Sequence, residues 1–192
     1  AATAAAGAKV RFAGVTRTAD AGGVVTAATT RVGSYWASAS LTGSVRSQRQ
    51  LVCVHPAADG TRCSAVSFPR HASRIPAPHV LAGAHAGFAA GGGVQVSVAR
   101  LVGSRCRFLQ ADRTTFSAAR SCRARTTLRA QTATDGAWSP RLAPTSGASL
   151  GRLAPGTYRV WSRVISGSRT EQRQTTGMNT VAFTVVSRAV YG

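Results

Sequence analysis

The 192-residue chain sets 24 basic residues against 5 acidic ones, a net charge of +19, and is 44% hydrophobic. That hydrophobic share excludes a disordered polyelectrolyte tail, the length can bury a core in one large β-domain or two small ones, and so few carboxylates leave little material for acid–base chemistry. No run of about 18 apolar residues occurs, so no segment has the composition of a membrane-spanning helix.

Residues 1 to 8 are Ala, Thr and Gly only, and Met178 is the sole methionine. Residue 1 therefore does not read as a translation start. The run Ala1-Ala2-Thr3-Ala4-Ala5-Ala6 has the small-residue composition found just after signal peptidase cleavage, and the expectation is a secreted or cell-surface protein. From Lys9 the sequence turns strand-like, in Val10-Arg11-Phe12, Gly23 to Val32, Ser34 to Leu41, Gln50 to His55 and Thr61 to Phe68. Asp20-Ala21-Gly22-Gly23, Gly33 and Thr42-Gly43-Ser44 punctuate the runs. Short strands at roughly ten-residue spacing carry the rhythm of a β-sandwich or barrel, and no amphipathic helical period persists.

Pro69, Pro76 and Pro78 flank a segment that holds neither a long helix nor a central strand. It reads as a connection between an N-terminal β-sandwich-like module, residues 1–77, and a C-terminal one, residues 78–192; the alternative is one continuous sandwich with a long crossover there. The second half opens with Val80 to Ala86, a Gly91-Gly92-Gly93 turn, and Val94 to Leu101, in which Val94, Val96 and Val98 share a face. Cys106 to Leu109, Ser121 to Arg123, Thr126 to Ala130 and Ala137 to Ser139 follow. Cys53 and Cys63 enclose nine residues, and Cys106 and Cys122 enclose fifteen. Three pairings exist in principle, but two local bridges, each closing a hairpin within its module, need the least chain closure. Each would contribute roughly 3 kcal/mol by loop entropy.

After the turn signal Pro155-Gly156, strict alternation places Tyr158, Val160 and Val164 on one face of a strand and Arg159, Trp161 and Arg163 on the other. A polar loop leads to a second strand, Asn179 to Val185, whose Val181, Phe183 and Val185 share a face. The run Pro-Gly-Thr-Tyr-x-Val, the loop, and Asn-x-Val-x-Phe-x-Val resemble the last two strands of the bacterial immunoglobulin-like domains of secreted and cell-surface proteins. The likeness covers about the last 60 residues and extends back toward residue 79. It implies an antiparallel sandwich in which the Tyr158 hydroxyl ties back to nearby backbone, the tyrosine corner. Ser166-Gly167-Ser168-Arg169-Thr170 stands where that family often has an acidic turn, so the calcium site such a turn suggests is not expected. A lateral bridge from Cys106 to Cys122 also departs from the antibody pattern, in which the disulfide joins the two sheets. The expected fold is thus all-β: two small antiparallel sandwiches, the second immunoglobulin-like, each with a local disulfide hairpin.

Catalytic chemistry has little to draw on. Of the carboxylates Asp20, Asp59, Asp112, Asp135 and Glu171, three sit beside or one residue from Gly and read as turn formers. No phosphate-loop ending occurs. His55, His71, His79 and His85 lie apart from any tight cysteine pair, so no zinc site is expected. No cofactor is implied, and no enzyme activity is expected.

The arginines remain; every basic residue but Lys9 is Arg. Arg105, Arg107, Arg123 and Arg125 crowd the second cysteine pair with Phe108 and Phe116 nearby, either as a patch for an anionic polysaccharide or nucleic acid or as a solvated face of an Arg-rich chain. Trp138 reads as a core anchor, while Trp161 sits on the Arg-bearing face. Both ends carry strand character, with Val10 and Phe12 near the start and Val186, Val190 and Tyr191 near the finish, as strands that add to a neighbour's sheet do. The leading expectation is a secreted structural protein that self-associates into a filament or surface layer by strand exchange or edge pairing. The alternative is a monomeric module binding an anionic glycan, cell-wall polymer or nucleic acid.

Overall fold

A computed structural model describes residues 5–27, 29, 33–44, 46–47, 49–54, 63–76, 78, 80–86, 92–133, 136–140, 153–166, 169–171 and 174–187. Among them there is no helix. The strands are β1 (Lys9–Phe12), β2 (Val15–Thr18), β3 (Gly33–Ser40), β4 (Gln50–Val54), β5 (Cys63–Phe68), β6 (Ser73–Ile75), β7 (Ala82–Ala86), β8 (Gly93–Val102), β9 (Arg105–Phe108), β10 (Leu128–Arg129), β11 (Gln131–Thr132), β12 (Ala137–Ser139), β13 (Gly156–Ser166), β14 (Arg169–Thr170) and β15 (Thr180–Val185). The chain divides into two compact units, Ala1–Thr61 and Arg62–Gly192.

The division falls earlier than the 77/78 boundary that the prolines suggest. β5 pairs with β7, and β6 runs parallel to β15, so the segment around Pro69 to Pro76 is woven into the C-terminal sheets. The short β6 ends one of those sheets, the edge position a proline-flanked strand can occupy.

In the N-terminal unit the described strands form a single four-stranded antiparallel sheet in the order β2-β1-β3-β4, rather than the two layers expected of a sandwich. β1 and β2 turn through Ala13 and Gly14, both at positive φ, as two-residue hairpin turns favour. One face stacks Phe12 edge-on against Tyr35, with ring centres 5.5 Å apart.

The C-terminal unit has two layers. The larger sheet runs β10-β8-β13-β15-β6, with β9 on β8 and β14 on β13; the smaller runs β11-β12-β7-β5. Valines at alternate positions give β8 and β13 one continuous apolar face, since a branched side chain packs well on the pleat. Val94, Val96, Val98, Val160, Val164 and Val181 are fully buried there with Leu81, Phe183 and Trp138. At about 1.5–3 kcal/mol for each large apolar side chain, this layer holds the unit together.

Two aromatic residues are held in this core by specific contacts. Trp138 lies flat over Gly83, where a Cβ would come within 2.0 Å of its ring, and its indole N–H donates to the Ala84 carbonyl at 2.9 Å. Tyr158 stacks on Phe183, and its hydroxyl donates to the Ala154 carbonyl at 2.8 Å, the tie-back that the resemblance implies. One polar cluster sits in this core. Glu171 accepts from Ser64, the Val164 backbone and Asn179, and the Ser162 hydroxyl donates to that of Ser64.

All four cysteines are disulfide-bonded, Cys106 with Cys122 and Cys53 with Cys63. Cys53 lies on β4, which pairs with β3, and Cys63 on β5, which pairs with β7. β9, carrying Cys106, makes a hairpin with β8 on one side. The returning chain runs back along β9 and its end, through the bridges Cys106–Arg120 and Leu109–Phe116 and the Ser117 N–H to the Phe108 carbonyl, and the disulfide fastens it there as a local hairpin.

Candidate anion-binding site

The outward face of the larger sheet gathers several arginines around one tryptophan. Alternation along β13 sends Arg159, Trp161 and Arg163 away from the sandwich core. Antiparallel register sets Trp161 opposite Ser97 and Arg163 opposite Gln95 on β8, and the Arg163 Nε–H donates to Gln95 Oε1 at 2.8 Å. β9 adds Phe108, whose ring lies 6.1 Å from that of Trp161. With Ala99 and Cys106 they form a second, smaller apolar cluster, and Trp161 is only 5% exposed.

A loop covers this cluster where a third layer would otherwise be needed. The Cys106–Cys122 bridge anchors it, and β10 returns the chain to the edge of β8. Between these anchors the loop passes arginines over the aromatic rings. The Arg120 guanidinium stands 5.1 Å from the Phe108 ring centre, and that of Arg125 stands 4.6 Å from Trp161, with Arg159 at 5.7 Å from the same ring. Each such contact contributes about 0.5–2 kcal/mol. Arg120 also bonds Thr126 within the loop. Arg125 donates to Gln174 Oε1 at 3.3 Å, an oxygen that also accepts from the Thr180 hydroxyl.

Beside Trp161 opens a cavity of about 240 Å³ lined by Gln95, Ser97, Arg123, Arg125, Thr127, Trp161, Ser162, Arg163 and Gln174. No carboxylate is among them. Burial, and then the like charges of Arg163 and Arg159, push the Arg125 pKa below its ordinary value. The guanidinium remains charged, and no side chain lining the cavity carries a negative charge to offset it. An anion in the cavity would do so.

The described acids are placed elsewhere. Asp20 accepts from the backbone of Gly22 and Val24, and Asp112 from Thr114 and Thr115, both within turns, while Glu171 lies in the core.

The four arginines singled out in the sequence separate. Arg123 and Arg125 reach the cavity and are joined there by Arg163. Arg105 and Arg107 do not, because Cys106 and Phe108 are the buried positions of β9 and alternation turns their neighbours to solvent. Arg107 instead donates to the Ser117 carbonyl. Gln95, Thr127 and Gln174 gave no signal in the sequence; Gln95 arrives by the β8–β13 register, and Thr127 and Gln174 lie outside the strands. Trp138 and Trp161 are both buried, in different sheets.

Of the residues considered for assembly, Val10 and Phe12 lie on β1, which is paired on one side with β2 and on the other with β3. The Val186 N–H donates to the Ile75 carbonyl at 2.9 Å. Val190 and Tyr191 lie outside the described residues. No family model, curated protein or solved structure matches the chain.

Proposed function

We propose that the protein is a non-catalytic extracellular module that binds an anionic polysaccharide through the Arg–Trp cavity. The observation that carries this reading is the gathering of Arg123, Arg125 and Arg163, with Arg159 beside them, around one buried tryptophan in a cavity lined by no carboxylate. Guanidinium groups suit the planar, bidentate recognition of sulfate, phosphate or carboxylate. The cavity is smaller than the roughly 300–1,000 Å³ of drug-sized sites, which suits one charged sugar unit of a longer chain. Nucleic acid fits less well, because single-strand binding relies on open aromatic faces for the bases, whereas Trp161 is buried beneath arginines. The disulfides suit an oxidising, extracellular setting, and the Tyr158 tie-back supports reading the C-terminal unit as immunoglobulin-like.

Filament assembly draws less support. Donating β1 to a neighbour would break both of its pairings, and β2, the edge strand beside it, is only four residues long and carries Arg17, features that guard an edge against pairing.

The test compares two pairs of substitutions that remove equal charge. Arg123→Ser with Arg125→Ser should elute from heparin at clearly lower salt than the parent, whereas Arg105→Ser with Arg107→Ser should shift little. Equal shifts for the two pairs would reduce the binding to net charge and sink the proposal. Retention on immobilised poly(dT) that matches heparin at every salt concentration would count against the choice of polysaccharide. Thermal melts establish that each variant is folded.

A further inference from the structure

The N-terminal unit carries its own basic cavity, of about 430 Å³, walled by one face of its sheet. Register builds it. Lys9 and Arg11 alternate on β1 and stand opposite Ser40 and Ser38 of β3, with Thr16 of β2 across from Arg11. Two residues before Ser38 on the same face is Trp36. The other face takes Val10, Phe12 and Tyr35, with Arg17 opposite Val10. The β3–β4 connection then brings Arg46 and Arg49 over the charged face. Ser47 fastens it to β3 twice, its hydroxyl accepting from the Ala39 N–H at 2.8 Å and its own N–H donating to the Ala39 carbonyl at 2.9 Å. The Arg49 guanidinium stands 5.4 Å from the Trp36 ring centre.

The geometry points to a second anion-binding site here, formed by Lys9, Arg11, Arg46 and Arg49 around Trp36 and taking the same class of ligand, a sulfated, phosphorylated or carboxylated sugar. Four cationic side chains converge on one cavity, and its lining contains no carboxylate. The arrangement repeats, on an unrelated sheet, that of the Trp161 cavity: a tryptophan capped by a loop arginine, strand residues below and hydroxyls at the rim. It differs in that Trp36 is half-buried rather than buried, so part of its ring is open to a sugar face. Two such sites give the chain two points of attachment to a polymer whose anions repeat. The choice of ligand class rests on the reading of the Trp161 cavity; the existence of the site does not.

The experiment is calorimetric titration of the full chain with a heparin tetrasaccharide. The parent should take up two per chain, and Arg46→Ser with Arg49→Ser should reduce this to one. The salt dependence of log affinity for long heparin should also fall, by about one for each cationic contact removed. Arg123→Ser with Arg125→Ser should likewise leave one tetrasaccharide per chain, while Arg105→Ser with Arg107→Ser should leave two. If the Arg46/Arg49 pair leaves stoichiometry and salt dependence unchanged while the Arg123/Arg125 pair abolishes uptake, the second site is refuted and the Trp161 reading stands. If the Arg46/Arg49 pair lowers uptake and the Arg123/Arg125 pair does not, the N-terminal site stands and the Trp161 reading falls. No change from either pair overturns both.

Discussion

The two faces of β13 obey one alternation and arrive at opposite chemistry. Toward the smaller sheet, Tyr158, Val160, Ser162 and Val164 are buried in a packed layer. Away from it, Trp161 is buried too, but beneath Arg125 from a loop fastened by a disulfide. The inner face therefore draws its stability from removing apolar surface from water, a term nearly blind to salt. The outer face holds like charges together at some cost and is the more sensitive to ionic strength and to added anions. A strand thus builds the fold with one set of residues and presents a binding surface with the set between them.

The contrast breaks most completely at Gly83. In Gly83→Ala the new methyl meets the Trp138 ring at 2.0 Å and the Ala65 carbonyl at 2.2 Å, so the smaller sheet and the buried indole it carries must shift. A loss of about 3 kcal/mol or more is expected in urea unfolding, and both faces of β13 should fail together. Opening the Cys106–Cys122 bridge with the double Ser variant should cost about 3 kcal/mol. Measured well below the melting temperature, it should also weaken heparin binding while the near-ultraviolet signal of the inner aromatic residues persists.

Tyr158→Phe removes a buried hydroxyl and leaves the Ala154 carbonyl without its donor, which should cost roughly 1–2 kcal/mol with heparin affinity unchanged. The smallest effect is on pH dependence. Burial pushes the Glu171 carboxyl above its usual range, although bonds from Ser64, Val164 and Asn179 pull it partly back. The folded state therefore holds this proton more tightly than the unfolded chain does. The stability it contributes is complete below the unfolded value of about 4.3 and is lost as pH rises through the folded one. Melting temperatures between acid and neutral pH should show this slope in the parent and lose it in Glu171→Gln. Asp112, whose turn hydrogen bonds to Thr115 and Thr114 lower its pKa, slopes the other way in both proteins and cancels from the comparison.

Much of the inner face was legible in the sequence. Pro155-Gly156 and the alternation after it place Tyr158, Val160 and Val164, and the spacing of Val94, Val96 and Val98 places the strand that pairs with them. The outer face was legible only in half. Arg159, Trp161 and Arg163 follow from the same period, but Arg125 reaches Trp161 through a loop whose path depends on the disulfide and on β10, and Gln95 reaches Arg163 through register across residues distant in the chain. Periodicity reports which way a side chain points and is silent on what covers it. For the same reason Arg105 and Arg107, neighbours of Arg123 in charge and cysteine context, lie apart from it. The parallel pairing of β6 with β15 was equally hidden, since short proline-flanked runs advertise a connection more strongly than an edge strand.

The central claim is that an anion is held at the Trp161 cavity and not by the basic surface at large. Side-chain Nε–Hε resonances of the arginines, followed by NMR during titration with a heparin tetrasaccharide, test it most directly. The account predicts that Arg125 and Arg163 shift first and together while Arg105 and Arg107 stay in place. Shifts that grow in step across all of these arginines would contradict it.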